Sequence, residues 1–181
     1  MADVLIRNGL VVDGTGRQGY RSDVAIQEGK IVEIGARLNT PARRTIDADG
    51  LAVAPGFIDI HSHSDGSIFA HPLSESKILQ GVTSEVVGNC GISAFPVAPA
   101  HVEELVGYLK IHEFLFSPED VTWTDFEDYA HILEKRGLGP NFLPLIGHGA
   151  LRGAVMGFED KEPTADELAR MERLLAQMLD Q

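Results

Sequence analysis

This sequence predicts an α/β fold in two parts, a small all-β layer over residues 1–54 followed by parallel βα units over residues 55–181. Two observations carry that prediction. Up to Ala54 short apolar runs are punctuated by Gly-containing pairs; after Pro55 strand-like apolar runs alternate with helical patterns. Strands separated by helices pair in parallel, in open doubly wound sheets or in closed barrels.

The first part reads as "VLIRNGLVVDGTG", "DVAIQEGKIVEIG" and "RTIDADGLAVAPG". Its "NG", "DG" and "EG" pairs are hairpin-type signals, because Gly and Asn accept the positive φ that tight turns require. In the second part the strand-like runs are "GFIDIHSH", "GVTSEVVGNCG" and "PNFLPLIGHG". Between them, "HPLSESKILQ" reads as helical. Val102, Leu105, Val106 and Leu109 mark a helix within Ala100–Phe116, and "WTDFEDYAHILEKRG" reads as a helix entered at Thr124 and stopped at Gly137. In the last helix Thr164 caps the N-terminus with Glu167 three residues on, and Leu168, Met171, Leu174, Leu175 and Met178 recur at helical spacing. The stretch from residue 56 to 181 is about half of the roughly 250 residues that an eight-stranded βα barrel needs.

Composition bounds the function. With 44% hydrophobic and 23% charged residues the chain is an ordinary globular one. A formal net charge of −12 disfavours nucleic acid or an anionic membrane as the main partner. The opening "MADVLIRNGL" has no basic region ahead of a long apolar run, and no window approaches 18 consecutive apolar residues, so a cytoplasmic location is expected. The single cysteine, Cys90, excludes an internal disulfide.

The chemistry concentrates in "APGFIDIHSHSD". Successive side chains of a strand point to opposite faces, so His61, His63 and Asp65 are expected to look the same way. Two polar residues at a strand end have the same pattern, but the apolar run places this pair where α/β active sites are built. The next strand ends in Cys90, at the same rim. Thiolate and imidazole both suit zinc, so His61, His63 and Cys90 are expected to hold one metal or share two. His101, His112 and His131 fall in helical patterns, His71 precedes Pro72 at a helix entrance, and structural roles are expected for all four.

"PGFIDIHSHSD", "QGVTSEVVGNCGIS" and "LIGHGALR" together resemble the N-terminal part of N-acyl-D-amino-acid deacylases, the D-aminoacylase branch of the amidohydrolase superfamily. The leading β segment resembles that superfamily's small β-sandwich domain. The resemblance implies a β-sandwich segment over 1–54, then the first three βα units of a metal-dependent (β/α)8 barrel over 55–181, incomplete in this chain. It also implies Zn2+, one or two ions, with His61, His63 and Cys90 as metal ligands, and hydrolysis of a small-molecule N-acyl-D-amino acid by metal-activated water. Hydantoinases and dihydroorotases bridge their metals with a carboxylated lysine; here none of the five lysines closes a strand, so Cys90 is the better bridging candidate. His148 and Asp65 are the candidates for the substrate pocket. The two later histidines and the aspartate of the family's full site have no counterpart here, as no histidine follows His148. The alternatives are a truncated non-catalytic fragment or a chain needing a second polypeptide, and an amidohydrolase acting on cyclic amides or another deacetylase. An edge left unpaired after a third unit is expected to be covered by a missing C-terminal part or in a homo-oligomer.

Overall fold

In the computed structural model, which describes residues 1–112 and 114–181, the chain forms two compact units, Met1–Pro55 and Gly56–Gln181. The first unit is a five-stranded mixed sheet. Its strands are β1 (Ala2–Val11), β2 (Tyr20–Gln27), β3 (Lys30–Gly35), β4 (Ala42–Asp47) and β5 (Ala52–Val53). They run in the order β3-β2-β1-β4, with β5 also beside β1. The two hairpin partners are antiparallel, whereas β4 and β5 lie parallel to β1.

Glu28 and Gly29 take the positive φ expected of the β2–β3 turn, at 52° and 72°. The pair Asn8-Gly9 does not turn the chain. It lies inside β1, where the register against β2 shifts between Ile6 and Gly9. Asn8 holds φ 62° there because its N–H donates to the buried Asp23 carboxylate at 2.9 Å. Asp23 accepts a second N–H, from Leu38, also at 2.9 Å, and the two donors hold its carboxyl below the usual range. A bulge re-aims a strand as a turn does, and uses the same residue types.

The second unit has a parallel sheet of β6 (Phe57–Asp59), β7 (Val82–Val87) and β8 (Asn141–Pro144), in that order. Among the described residues five α-helices accompany it: α1 (Glu75–Ile78), α2 (Val102–Lys110), α3 (Phe126–Arg136), α4 (His148–Met156) and α5 (Ala165–Leu179). The unit is therefore α/β. In α5 the Thr164–Glu167 capping box forms in both directions. Asp125 caps α3 by accepting the Asp128 N–H at 3.1 Å, and Gly137 ends that helix with φ 75°.

One helix is shorter than its pattern suggests. The apolar run to Phe116 leaves α2 at Lys110, and Phe114 and Phe116 instead enter an aromatic cluster with Phe69, Trp123 and Tyr129. Trp123, 2% exposed, stacks on Phe69 with centroids 5.1 Å apart and donates its indole N–H to Ala94 O at 2.7 Å. This core draws on Ile68 and Phe69, downstream of the His-Ser-His segment, and on Ile92, Ala94 and Phe95, downstream of Cys90. Both loops that carry the candidate ligands are thus anchored in one packed core, which limits how far they can drift apart. Among the described residues, no helix is long and apolar enough to cross a membrane.

Candidate metal centre

The strand β6 stops at Asp59, so His61 and His63 stand in the turn beyond it rather than on alternate strand positions. The turn still brings them together, with ring centroids 5.7 Å apart. Cys90 lies past the end of β7, in a 3-10 turn over Asn89–Gly91. That turn is built from left-handed residues: Gly88 at φ 76°, Cys90 itself at 57° and Gly91 at 78°. A non-glycine residue in this region costs roughly 1–2 kcal/mol. Here the strain turns the cysteine back toward β6, leaving Sγ 3.3 Å from His61 Nε2.

One ligand atom from each of His61, His63 and Cys90 lies within 4.8 Å of the others. Two imidazoles and one thiol at that separation are a donor set that suits zinc. His63 Nδ1 is buried and, among the described residues, has no hydrogen-bond partner. Burial first, then the nearby His61 and His112, lower the pKa of His63 and favour the neutral imidazole that a metal requires. The residues present therefore fit a bound metal.

Asp65 and His148 are placed differently. Asp65 sits in a 3-10 turn over Ser64–Gly66, only 2% exposed, and is not part of the three-residue cluster. Burial pushes its pKa up to about 7, against backbone N–H groups that pull it down, and the Glu85 charge adds to the rise. An acid whose pKa is raised on folding takes stability away as it ionises. The loss therefore develops from about pH 4 to about pH 7 and is complete above that. His148 does not end a strand; it is the exposed first residue of α4, past Pro144 and the cap Gly147. Its segment is nevertheless close to the cysteine turn, for a Cβ on Gly147 would stand 2.6 Å from Gly91 O. Only glycine allows that approach.

Sequence reasoning missed the polar group that surrounds the histidines. Lys77 in α1 donates to Asp59 Oδ2 at 2.5 Å and lies 3.4 Å from Glu85 Oε2. Glu85, in the middle of β7, is completely buried. Burial works against the Lys77 charge, but Asp59 and Glu85 outweigh it and raise the lysine pKa. Asp59 is held below the usual range by the Lys77 hydrogen bond first and by the His61 N–H second. The available signal was a glutamate inside an apolar strand, which needs a buried partner.

Residues 44–180 match the model of a family described as the amidohydrolase family. An N-acyl-D-aspartate deacylase of Alcaligenes xylosoxydans xylosoxydans is 38% identical over 178 residues, covering 98% of this chain and 34% of that protein. A D-aminoacylase of the same organism is 34% identical over 172 residues, covering 95% of this chain and 34% of its own length. Among solved structures, the N-acyl-D-glutamate deacylase from Bordetella bronchiseptica, complexed with zinc and a phosphonate mimic of the tetrahedral intermediate, superposes with a TM-score of 0.86 at 36% identity. That match covers 99% of this chain and 36% of the other. A D-aminoacylase structure gives 0.84 at 35% identity, covering 99% and 37%. The chain spans about a third of the length of the relatives it matches.

Proposed function

Because the chain belongs to the amidohydrolase family, we propose that it carries the first part of a zinc centre that hydrolyses the amide bond of N-acyl-D-amino acids. The observation that carries this is the convergence of His61, His63 and Cys90, within 4.8 Å, in a chain about a third identical to deacylases over nearly its whole length. His61, His63 and Cys90 would hold the metal, Cys90 being the bridging candidate if there are two ions. Bound zinc polarises a carbonyl and lowers the pKa of water toward 7, so that hydroxide is available without a strong protein base.

The protein's own residues have distinct tasks in this reading. His63, its pKa lowered by burial, offers a neutral imidazole. His148, exposed beside the cysteine turn, is the candidate for lining the substrate pocket. Asp65, buried in the turn just past His63, is the second pocket candidate. The remaining ligands and the groups that hold the substrate carboxylate come from sequence outside these 181 residues or from a second chain. Parallel sheets are normally covered on both faces. Here Phe57, Ile58 and Ile60 are 65%, 64% and 74% exposed, which supports reading β6, β7 and β8 as the first three strands of a barrel; residues 1–54 are read as a segment of the β-sandwich domain.

The test is a zinc-loaded preparation of these residues together with any coding sequence that continues past the Gln181 codon. It is offered N-acetyl-D- and N-acetyl-L-amino acids, acidic side chains included. Hydrolysis that favours the D series is expected. Equal rates on both series, or hydrolysis of a cyclic amide instead, would overturn the deacylase assignment. No hydrolysis at all would make these residues a non-catalytic fragment.

A further inference from the structure

We infer that Lys77 and Glu85, acting through Ser62 and Ser64, are positioning residues for the metal centre: they lock the turn that carries His61 and His63 against the strand that leads to Cys90. The inference deepens the proposed function and rests on its metal site.

Ser62 lies between the two histidines, and all its polar groups are engaged. Its N–H donates to Val86 O at 3.0 Å, and its carbonyl accepts the Asn89 side-chain amide at 3.3 Å. Its hydroxyl accepts from Lys77 Nζ at 3.2 Å and donates to Glu85 Oε2 at 2.9 Å. Ser64, on the other side of His63, donates to the same carboxylate oxygen at 2.5 Å. Glu85 thus grips the chain immediately before and immediately after His63. Lys77 reaches the His61 side as well, through Asp59, which accepts the His61 N–H at 3.2 Å.

The link to the cysteine is as short. Asn89 directly precedes Cys90, and its amide donates both to Ser62 O and to Val86 O, the latter at 2.8 Å. One side chain therefore ties the histidine turn to the cysteine turn. A buried ion pair is often no better than an apolar pair of the same volume, because desolvation offsets the attraction. Here Glu85 is wholly buried, and its Oε1 has no partner among the described residues. Groups that orient metal ligands from the outside typically change affinity by about 10–100-fold when removed.

The experiment uses cobalt(II) as the probe on the 181-residue chain and on two variants. Lys77→Met/Glu85→Leu replaces the ion pair by apolar side chains of similar size, and Ser62→Ala removes only the hydroxyl. Three quantities are read: the urea midpoint, the cobalt affinity and the thiolate-to-cobalt charge-transfer band. The expected result is a double variant that keeps a cooperative urea transition at a somewhat lower midpoint, because Asp59 and the two serine hydroxyls lose partners, while cobalt binds about 10–100-fold more weakly. Ser62→Ala is expected to shift in the same direction, with a weaker band. If the parent binds cobalt with a thiolate band and both variants match it within twofold, the positioning role is wrong and the metal site stands. If the double variant lacks a cooperative urea transition, Ser62→Ala alone decides between these outcomes. If the parent itself shows no thiolate band, the metal reading fails and the inference fails with it.

Discussion

Cys90→Ala is expected to abolish the thiolate-to-cobalt band and to weaken zinc binding by more than about 100-fold, beyond the range usual for losing a group outside the ligand sphere. Of the three donors brought within 4.8 Å, Cys90 is the only thiol, and without it two imidazoles on one turn remain. Affinity depends on ligand count and a preformed geometry, so two neutral donors bind far less well than three. Alanine at φ 57° bears the same left-handed strain as cysteine, so the urea midpoint of the metal-free protein should barely move. A competition titration with a chromophoric chelator measures the loss. Unchanged zinc affinity would remove Cys90 from the site.

Trp123→Ala is expected to cost about 3–5 kcal/mol, the range for truncating a buried large aromatic. Its indole touches Phe69, Phe116 and Tyr129 at centroid distances of 5.1, 5.6 and 5.3 Å. The lost hydrogen bond leaves Ala94 O without its indole donor, which adds roughly 1–3 kcal/mol if that carbonyl stays buried. Domains are stable by about 5–15 kcal/mol, so the variant should retain little margin. The check is urea denaturation followed by far-UV circular dichroism, since the substitution removes the only tryptophan. A midpoint equal to the parent's would mean that this cluster does not anchor the two ligand loops.

Much of the architecture was legible because its signals are local. The Thr164–Glu167 box, the Gly137 stop and the apolar runs that become β6, β7 and β8 each follow from a few neighbouring residues. What was not legible depends on residues far apart in sequence. Asn8-Gly9 has the chemistry of a hairpin turn, and only its partner Asp23, fifteen residues on, makes it a bulge. The helical run after Ala100 stops early because Phe114 and Phe116 are drawn into a cluster with Trp123.

The candidate site shows the same division. The residue types of His61, His63 and Cys90 announce a metal, but strand alternation is the wrong account of their convergence. The strand ends at Asp59, and hydrogen bonds to Val86, Glu85 and Asn89 hold the turn that follows. Asp65, expected on the same face, is buried by that turn. Glu85 was hidden in plain view as one charge in an apolar strand, and its partner Lys77 lies on a short helix.

Whether His61, His63 and Cys90 together hold zinc, as one ion or two, is read from X-ray absorption at the zinc edge of the loaded chain. One sulfur at about 2.3 Å and imidazole nitrogens at about 2.0–2.1 Å are expected around the zinc. A shell of oxygen and nitrogen alone, with no sulfur, would contradict that assignment.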